Sequence, residues 1–282
     1  MTLLEVLKRA TGYLQTHGST SPRLDAELLL AHALGLRRLD LYLQFDRPLR
    51  DEELVPYREL TARRGRGEPV AYLVGRREFM GLTFEVTPDV LVPNPDTEVL
   101  VQRAVEWARL RTGDRAGAET SAKPGRLRLA DIGTGSGCIA VSVAHYLPEV
   151  TIEAADISVA AIAVARRNVA AHGLEGRVAV VEADLLKGLT GRFDAILANL
   201  PYLAEDARLP AEVTAQPAVA LFGGATLVNR LLAEAPARLS PGGIVLLEVD
   251  PAMIGDLRLD AYSGHRLHRD LGGHQRVLEA WM

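Results

Sequence analysis

The residues most able to do chemistry fall at four places along the chain. Asp131-Ile132-Gly133-Thr134-Gly135-Ser136-Gly137 sets three glycines at alternate positions, after an apolar run and before a helical one. Glycine allows a tight turn and lets a ligand approach the backbone, because a Cβ would collide. A dinucleotide fingerprint needs G-x-G-x-x-G, with glycine at 138, but Cys138 stands there, which disfavours a nicotinamide dehydrogenase. Asp156 closes the next apolar run, where a carboxylate can accept hydrogen bonds from two ribose hydroxyls. After a third run, Asp184 could accept from an adenine amino group while Leu185 covers the ring. After a fourth comes Asn199-Leu200-Pro201-Tyr202, at a carboxyl end where open α/β sheets keep their sites. Each piece also has a plain structural reading: a glycine turn, a cap for the helix opening at Ser158, and a turn residue at 184.

The elements that must position these groups follow from periodicity. Strands are expected at 127–132, 151–155, 178–181, 195–198 and 244–248, and helices at about 137–147, 158–172 and 225–239. Alternation of this kind implies βαβ units with right-handed crossovers and a parallel sheet. Residues 265–270 and 277–281, split by Gly272-Gly273, are expected to finish the sheet as an antiparallel pair. Ahead of this domain, residues 1–76 read as a small helical domain without a chemical motif, whose expected task is docking a substrate. Leu3, Leu7, Ala10 and Leu14 form one helical stripe. Ser21-Pro22 is expected to cap a second helix ended by Gly35, Leu39–Phe45 is a third apolar stretch, and a fourth helix starts at Asp51. Residues 77–95 are expected to link the two domains through a β-hairpin, with Leu82, Phe84 and Val86 on one strand, a turn at Thr87-Pro88-Asp89, and Val90–Val92 on the other. Asp96 is the expected N-cap of a helix running to about Arg111, at the start of a second domain over 96–282, and 112–126 is an expected exposed loop.

Composition narrows the class. A length of 282 residues at roughly 150 per domain suits two domains. The formal charge of −4 argues against a protein held on nucleic acid by phosphate charge. No run approaches the length of a membrane span, and the N-terminus lacks the pattern of a signal peptide. The single cysteine allows neither an internal disulfide nor a cysteine-based zinc site, and no metal is expected. The protein is expected in the cytoplasm, as a monomer.

The glycine loop resembles the D-x-G-x-G-x-G of S-adenosylmethionine-dependent methyltransferases. Over nearly its whole length the chain resembles the HemK/PrmC family of protein-(glutamine-N5) methyltransferases. The likeness is carried by EPVAYLVGRREFMGLTFEVTPDVLVPNPDTEVL at 68–100, DIGTGSGCIA at 131–140, FDAILANLPY at 193–202, ALFGG at 220–224 and RDLGGHQRVL at 269–278. The resemblance implies a Rossmann-like class I methyltransferase sheet with an N-terminal helical domain. It also implies S-adenosylmethionine as cofactor, S-adenosylhomocysteine as product, and the Gly-Gly-Gln glutamine of peptide chain release factors 1 and 2 as substrate. Gly133, Thr134, Gly135, Ser136, Gly137, Asp156, Asp184, Leu185 and Asn199 would hold the cofactor, and Asn199, Leu200, Pro201 and Tyr202 would serve the acceptor.

The chemistry explains the acceptor motif. A carboxamide nitrogen is a poor nucleophile because its lone pair is delocalised into the carbonyl. Two fixed acceptors aimed at its N–H groups stabilise the charge that grows on attack. Asn199 Oδ1 and the carbonyl of residue 200 are the expected pair, with the Tyr202 ring against the amide plane. The chain departs from the family pattern at Leu200, where proline is usual. Pro201 still disfavours the α region at Leu200, so its carbonyl remains usable. Asn94, Gln216 and Asp250 also depart, replacing the usual arginine, glutamate and glycine. Other readings are a glutamine methyltransferase of a ribosomal protein, an N6-adenine methyltransferase, which would need a positive groove and base flipping, and a non-catalytic cofactor binder. Cys138 reads as packing under the loop, and His265, His268 and His274 as surface strand residues. The Arg63, Arg64, Arg66, Arg76 and Arg77 concentration reads as a solvated face or a contact for an acidic substrate surface.

Overall fold

Thr2 opens the first helix with a reciprocal cap: its hydroxyl accepts from Glu5 N at 3.3 Å while its own N–H donates to Glu5 at 3.0 Å. Helix α1 (Leu3–Thr16) is followed by α2 (Pro22–Leu34), α3 (Arg38–Tyr42), α4 (Asp51–Gly65) and α5 (Val70–Val74). The structure, a computed structural model, describes residues 1–113, 126–204, 206–270 and 272–282. Residues 114–125 of the expected loop lie outside the described residues. The chain divides into two units, Met1–Arg76 with Arg208–Gln216, and Arg77–Ala207 with Pro217–Met282.

In the first unit Leu3, Leu7, Leu14, Leu29, Leu30, Leu41 and Tyr57 meet in one core. Gly35 ends α2 at φ 64°, a left-handed cap that glycine takes without a Cβ penalty. Ser21 takes the expected N-cap position and Pro22 the first helical one, although the Ser21 side chain makes no cap bond. The second piece of the unit, carrying α9 (Ala211–Thr214), is held by a buried cation. Arg64 donates to Asp25 at 2.7 Å and to Glu212 at 2.6 Å. Arg63 is paired with Glu68 through Nε at 2.8 Å. Two of the five clustered arginines are thus spent on internal ion pairs.

The second unit opens with a hairpin, β1 (Arg76–Phe79) and β2 (Leu82–Glu85). Its turn is Met80-Gly81, and neither Thr87–Asp89 nor Val90–Val92 belongs to it, which corrects the expected placement. Met80 sits at φ 51°, unusual for a residue with a side chain. Both its backbone groups are held: Glu98 accepts from its N–H at 2.8 Å and the Tyr146 hydroxyl donates to its carbonyl at 2.7 Å. Phe79 and Phe84 are fully buried against α6 (Glu98–Thr112) and α7 (Cys138–Tyr146), so the hairpin is built into the core of this unit. Ahead of α6 a 3₁₀ turn, Pro95–Thr97, is capped by Asn94, which accepts from Asp96 N at 3.1 Å; Asp96 is not the N-cap.

The remaining elements are β3 (Leu127–Ile132), β4 (Val150–Asp156), α8 (Val159–Ala171), β5 (Val178–Glu182), β6 (Phe193–Ala198), α10 (Ala218–Leu221), α11 (Gly224–Glu234), β7 (Leu239–Glu248), β8 (Gly264–Arg269) and β9 (Gln275–Trp281). They form a seven-stranded sheet in the order β5-β4-β3-β6-β7-β9-β8. The first five strands run parallel, while β9 pairs antiparallel with both β7 and β8. The chain leaves β3 toward β4 on one side and later continues from β6 toward β7 on the other. The crevice between β3 and β6 is therefore a topological switch point, where such sheets bind ligands. Apolar cores cover both faces, one around α6 and α7 and the other around α11. No described helix is long and apolar enough to cross a membrane.

Candidate active site

Strand register sets the site. Ile132 is level with Ala198 and with Ala155, Ala198 with Leu247, and Glu248 with Val277. The glycine loop, Asp156, Asn199, Glu248 and Arg276 thus leave the sheet at one edge, from five adjacent strands. None of these neighbours is close in sequence.

The loop after β3 turns through left-handed backbone at Gly133, Gly135 and Gly137, with φ of 71°, 54° and 79°. A Cβ on Gly135 would meet nothing within 4 Å, and one on Gly137 would come to ordinary contact with Ala165 at 3.4 Å. Gly135 therefore faces open space that a ligand can enter, and at Gly137 the left-handed backbone, not a lack of room, is what favours glycine. Gly133 and Thr134 both donate to the Ala155 carbonyl, at 2.8 and 3.0 Å, which pins the loop to β4. Buried Asp131 braces it from beneath, accepting from the Thr134 hydroxyl at 2.6 Å and from Ala140 N at 3.1 Å. Burial pushes the Asp131 carboxyl up to about 7. The same burial pushes the Cys138 thiol up to about 12, so it is a packing residue and not a thiolate.

Ser158 is itself the N-cap of α8, accepting from Ala161 N at 3.2 Å, while Asp156 accepts from Ser158 N at 2.9 Å and from Gly135 N at 2.8 Å. A carboxylate has about four acceptor positions, so capacity remains for ribose hydroxyls. Asp184 is already engaged in an exposed ion pair with Arg230, at 2.8 and 2.9 Å. Leu185 beside it is buried and holds φ 54°, a strained conformation for a branched side chain. Asn168 was not anticipated. It is buried on α8, donates to the Ser136 carbonyl at 2.8 Å, and exchanges bonds with Glu85 backbone at 2.8 and 3.0 Å. Its signal was a polar residue on the inward face of an apolar helix.

The acceptor motif follows β6. Asn199 Nδ2 donates to the Thr97 hydroxyl at 3.0 Å, which leaves Oδ1 as the free end of the amide. Leu200 is buried, with a methyl 3.0 Å from where a Gly133 Cβ would stand, so it packs on the glycine loop. A Cβ at Gly223 would lie 2.6 Å from the Pro201 carbonyl, which explains the glycine in the ALFGG segment. Leu203 N donates to the Leu221 carbonyl at 3.0 Å and ties the same two segments together. Burial pushes the Tyr202 phenol up to about 12, so it is a neutral ring at physiological pH. Thr97, Glu248 and Arg276 were not anticipated as site residues. Arg276 bridges Asp96 at 3.2 Å and Asp270 at 3.3 Å. Each residue of Asp96-Thr97-Glu98 therefore holds a different segment: β9, the acceptor motif, and the hairpin turn.

The residues present fit a bound S-adenosylmethionine. Gly135 opens onto unfilled space, Asp156 keeps free acceptor positions, and the buried Asp131 Oδ1 and Ser136 Oγ have no hydrogen-bond partner beside the loop. Among the described residues no group of acidic, histidine or cysteine side chains could hold a metal ion. His268 is instead paired with Glu279 at 2.6 Å.

Comparison with known proteins gives the family and the fold. Residues 5–75 match the PrmC N-terminal domain, and residues 107–254 the methyltransferase small domain. The release factor glutamine methyltransferase of Rhodopirellula baltica is 40% identical over 98% of this chain and 95% of its own length. That of Geobacter sulfurreducens is 42% identical over 88% of this chain and 84% of its own. Among solved structures, a T. thermophilus 16S rRNA N2 G1207 methyltransferase in complex with AdoMet and guanosine superposes with TM-score 0.52 at 19% identity. It covers 73% of this chain and 49% of that one. The catalytic domain of human Mettl16 superposes with TM-score 0.55 at 18% identity, covering 79% and 81%. These likenesses show the Rossmann-like fold of class I methyltransferases.

Proposed function

We infer the function from one premise: the chain belongs to the family of release factor glutamine methyltransferases. It is an S-adenosylmethionine-dependent methyltransferase. We propose that its acceptor is the side-chain N5 of the glutamine in the Gly-Gly-Gln motif of release factors 1 and 2. We further propose that it works in the cytoplasm as a monomer, without stable contact to nucleic acid or membrane, and that residues 1–76 dock the release factor.

Gly133, Thr134, Gly135, Ser136, Gly137, Asp156, Asp184, Leu185 and Asn199 would hold the cofactor, which supplies an electrophilic sulfonium methyl when bound. Asn199 Oδ1 and the Leu200 carbonyl accept from the two N–H groups of the substrate amide. They orient its nitrogen and stabilise the positive charge that develops there. Neither is a strong base, so the proton leaves after the methyl is transferred. Tyr202, neutral and partly buried, offers a ring face to the flat amide.

The observation carrying this reading is the bond from Asn199 Nδ2 to Thr97, which commits the amide oxygen to the open side. Incubation of the protein with methyl-labelled cofactor and purified release factor tests it. The expected result is one label per chain, on the Gly-Gly-Gln glutamine. Label elsewhere, or none, overturns the assignment.

A further inference from the structure

An asparagine amide is nearly symmetric in shape and wholly asymmetric in chemistry. Turned over, Asn199 would present donors to a substrate NH2 that needs acceptors. Packing cannot prevent this, because nitrogen and oxygen occupy the same space. Only the polarity of its hydrogen bonds can.

The polarity is set behind the motif. Thr97 is 2% exposed, and its hydroxyl accepts from Asn199 Nδ2, so its own proton must find an acceptor in a buried setting. Glu248 is also 2% exposed, and neither of its carboxylate oxygens has a hydrogen bond of normal geometry. Thr97 and Asn199 nonetheless face it closely enough to offset part of its desolvation. One buried group lacks an acceptor and its neighbour lacks donors.

We propose that Thr97 and Glu248 are positioning residues, forming a relay from the Asn199 amide through the Thr97 hydroxyl to the Glu248 carboxylate that keeps Asn199 Oδ1 toward the substrate. This rests on the acceptor role of Asn199 proposed above. An ionised carboxylate only accepts, so it draws the Thr97 proton and, through it, an Asn199 N–H. Protonation makes Glu248 a donor, lets the Thr97 hydroxyl turn, and reverses the relay. Burial pushes this carboxyl up to about 7. Among the charged and titratable groups around it, Asp96 raises it further and Arg276 opposes the rise, while Glu248 and Asp250 both act on the Tyr202 phenol. The relay also gives a purpose to the threonine of the Pro-Asp-Thr-Glu segment, which touches no substrate in the acceptor scheme.

The test uses the full chain with Thr97→Val, Thr97→Ser and Glu248→Gln, beside Asn199→Ala. Thr97→Val keeps the shape and removes the hydroxyl. Its kcat is expected to fall about 10²-fold, the scale of misplacing a reacting group, with cofactor Kd and release-factor KM little changed. Thr97→Ser is expected to restore most of the rate. The wild-type kcat/KM is expected to drop on the acid side with a midpoint near 7, and Glu248→Gln to lose that limb. In the cofactor-free protein the side-chain NH2 resonances of Asn199 are expected to titrate with the same midpoint, and not in Glu248→Gln. Glu248→Gln melts at or above wild type at pH 8, since it removes a buried charge, which separates lost activity from lost fold. Full activity in Thr97→Val and Glu248→Gln, with Asn199→Ala inactive, overturns the relay and leaves the acceptor reading standing. Full activity in Asn199→Ala overturns both. Asn199 resonances indifferent to pH overturn the relay alone.

Discussion

The glycine loop and the acceptor motif leave adjacent strands, β3 and β6, at the same level, yet they are assembled on different plans. The loop is largely made by its own neighbourhood: Asp131 braces Thr134 and Ala140 within ten residues of chain. The acceptor motif is made at long range. Asn199 is held by Thr97, about a hundred residues earlier, Pro201 leans on Gly223, and Glu248 and Arg276 arrive from β7 and β9. Backbone geometry makes a place for a cofactor. In the proposed scheme, side chains brought together from distant parts of the chain present the acceptor nitrogen.

If the division is right, damage to the two regions separates cleanly. The largest expected effect is Asn199→Ala, with kcat lower by ~10²–10³, the usual cost of one transition-state partner. Cofactor affinity, followed by titration calorimetry, should stay nearly constant; equal losses in both would erase the distinction. Asp156→Ala is expected to do the reverse, weakening cofactor binding by about 10–10²-fold through lost bonds to a charged group. A wild-type Kd in that variant would remove Asp156 from the cofactor site. Next comes Gly223→Ala, whose new methyl would stand 2.6 Å from the Pro201 carbonyl. It should lower kcat about tenfold by shifting the acceptor loop, with calorimetric Kd unchanged; a rate equal to wild type means the loop yields without consequence.

The smallest effect is on stability, under the glycine loop. The folded-state Asp131 is raised from 3.8 to about 7, so between those values the folded protein binds more protons than the unfolded chain. Its contribution to stability therefore falls as pH rises through that window and is flat above it. Asp131→Asn should flatten this part of the curve of melting temperature against pH. An unaltered slope would mean that the carboxylate is not buried as a charge.

The same contrast governs what could be read from the residues alone. Strand β3 coincides with its expected bounds, and the other parallel strands differ at their ends, since alternation and glycine punctuation are local signals. The cofactor loop was legible because its residues are consecutive. The hairpin turn was misplaced because Met80 takes a conformation its residue type disfavours, stabilised by Glu98 and Tyr146 from elsewhere in the fold. The 3₁₀ turn ahead of α6 is capped by Asn94, while Asp96, the expected cap, pairs with Arg276 on β9. Asp184 carries an ion pair with Arg230, a partner that no local spacing announces. Glu248 looked like the end of an apolar strand; only the register beside Asn199 gives it a role.

The central claim concerns two oxygen atoms and one NH2 group. A crystal structure with a Gly-Gly-Gln peptide and S-adenosylhomocysteine bound examines it directly. The glutamine nitrogen should lie about 2.9 Å from both Asn199 Oδ1 and the Leu200 carbonyl oxygen, a normal hydrogen-bond length. A glutamine whose NH2 turns away from both, or an Asn199 that presents its nitrogen to it, would contradict the account.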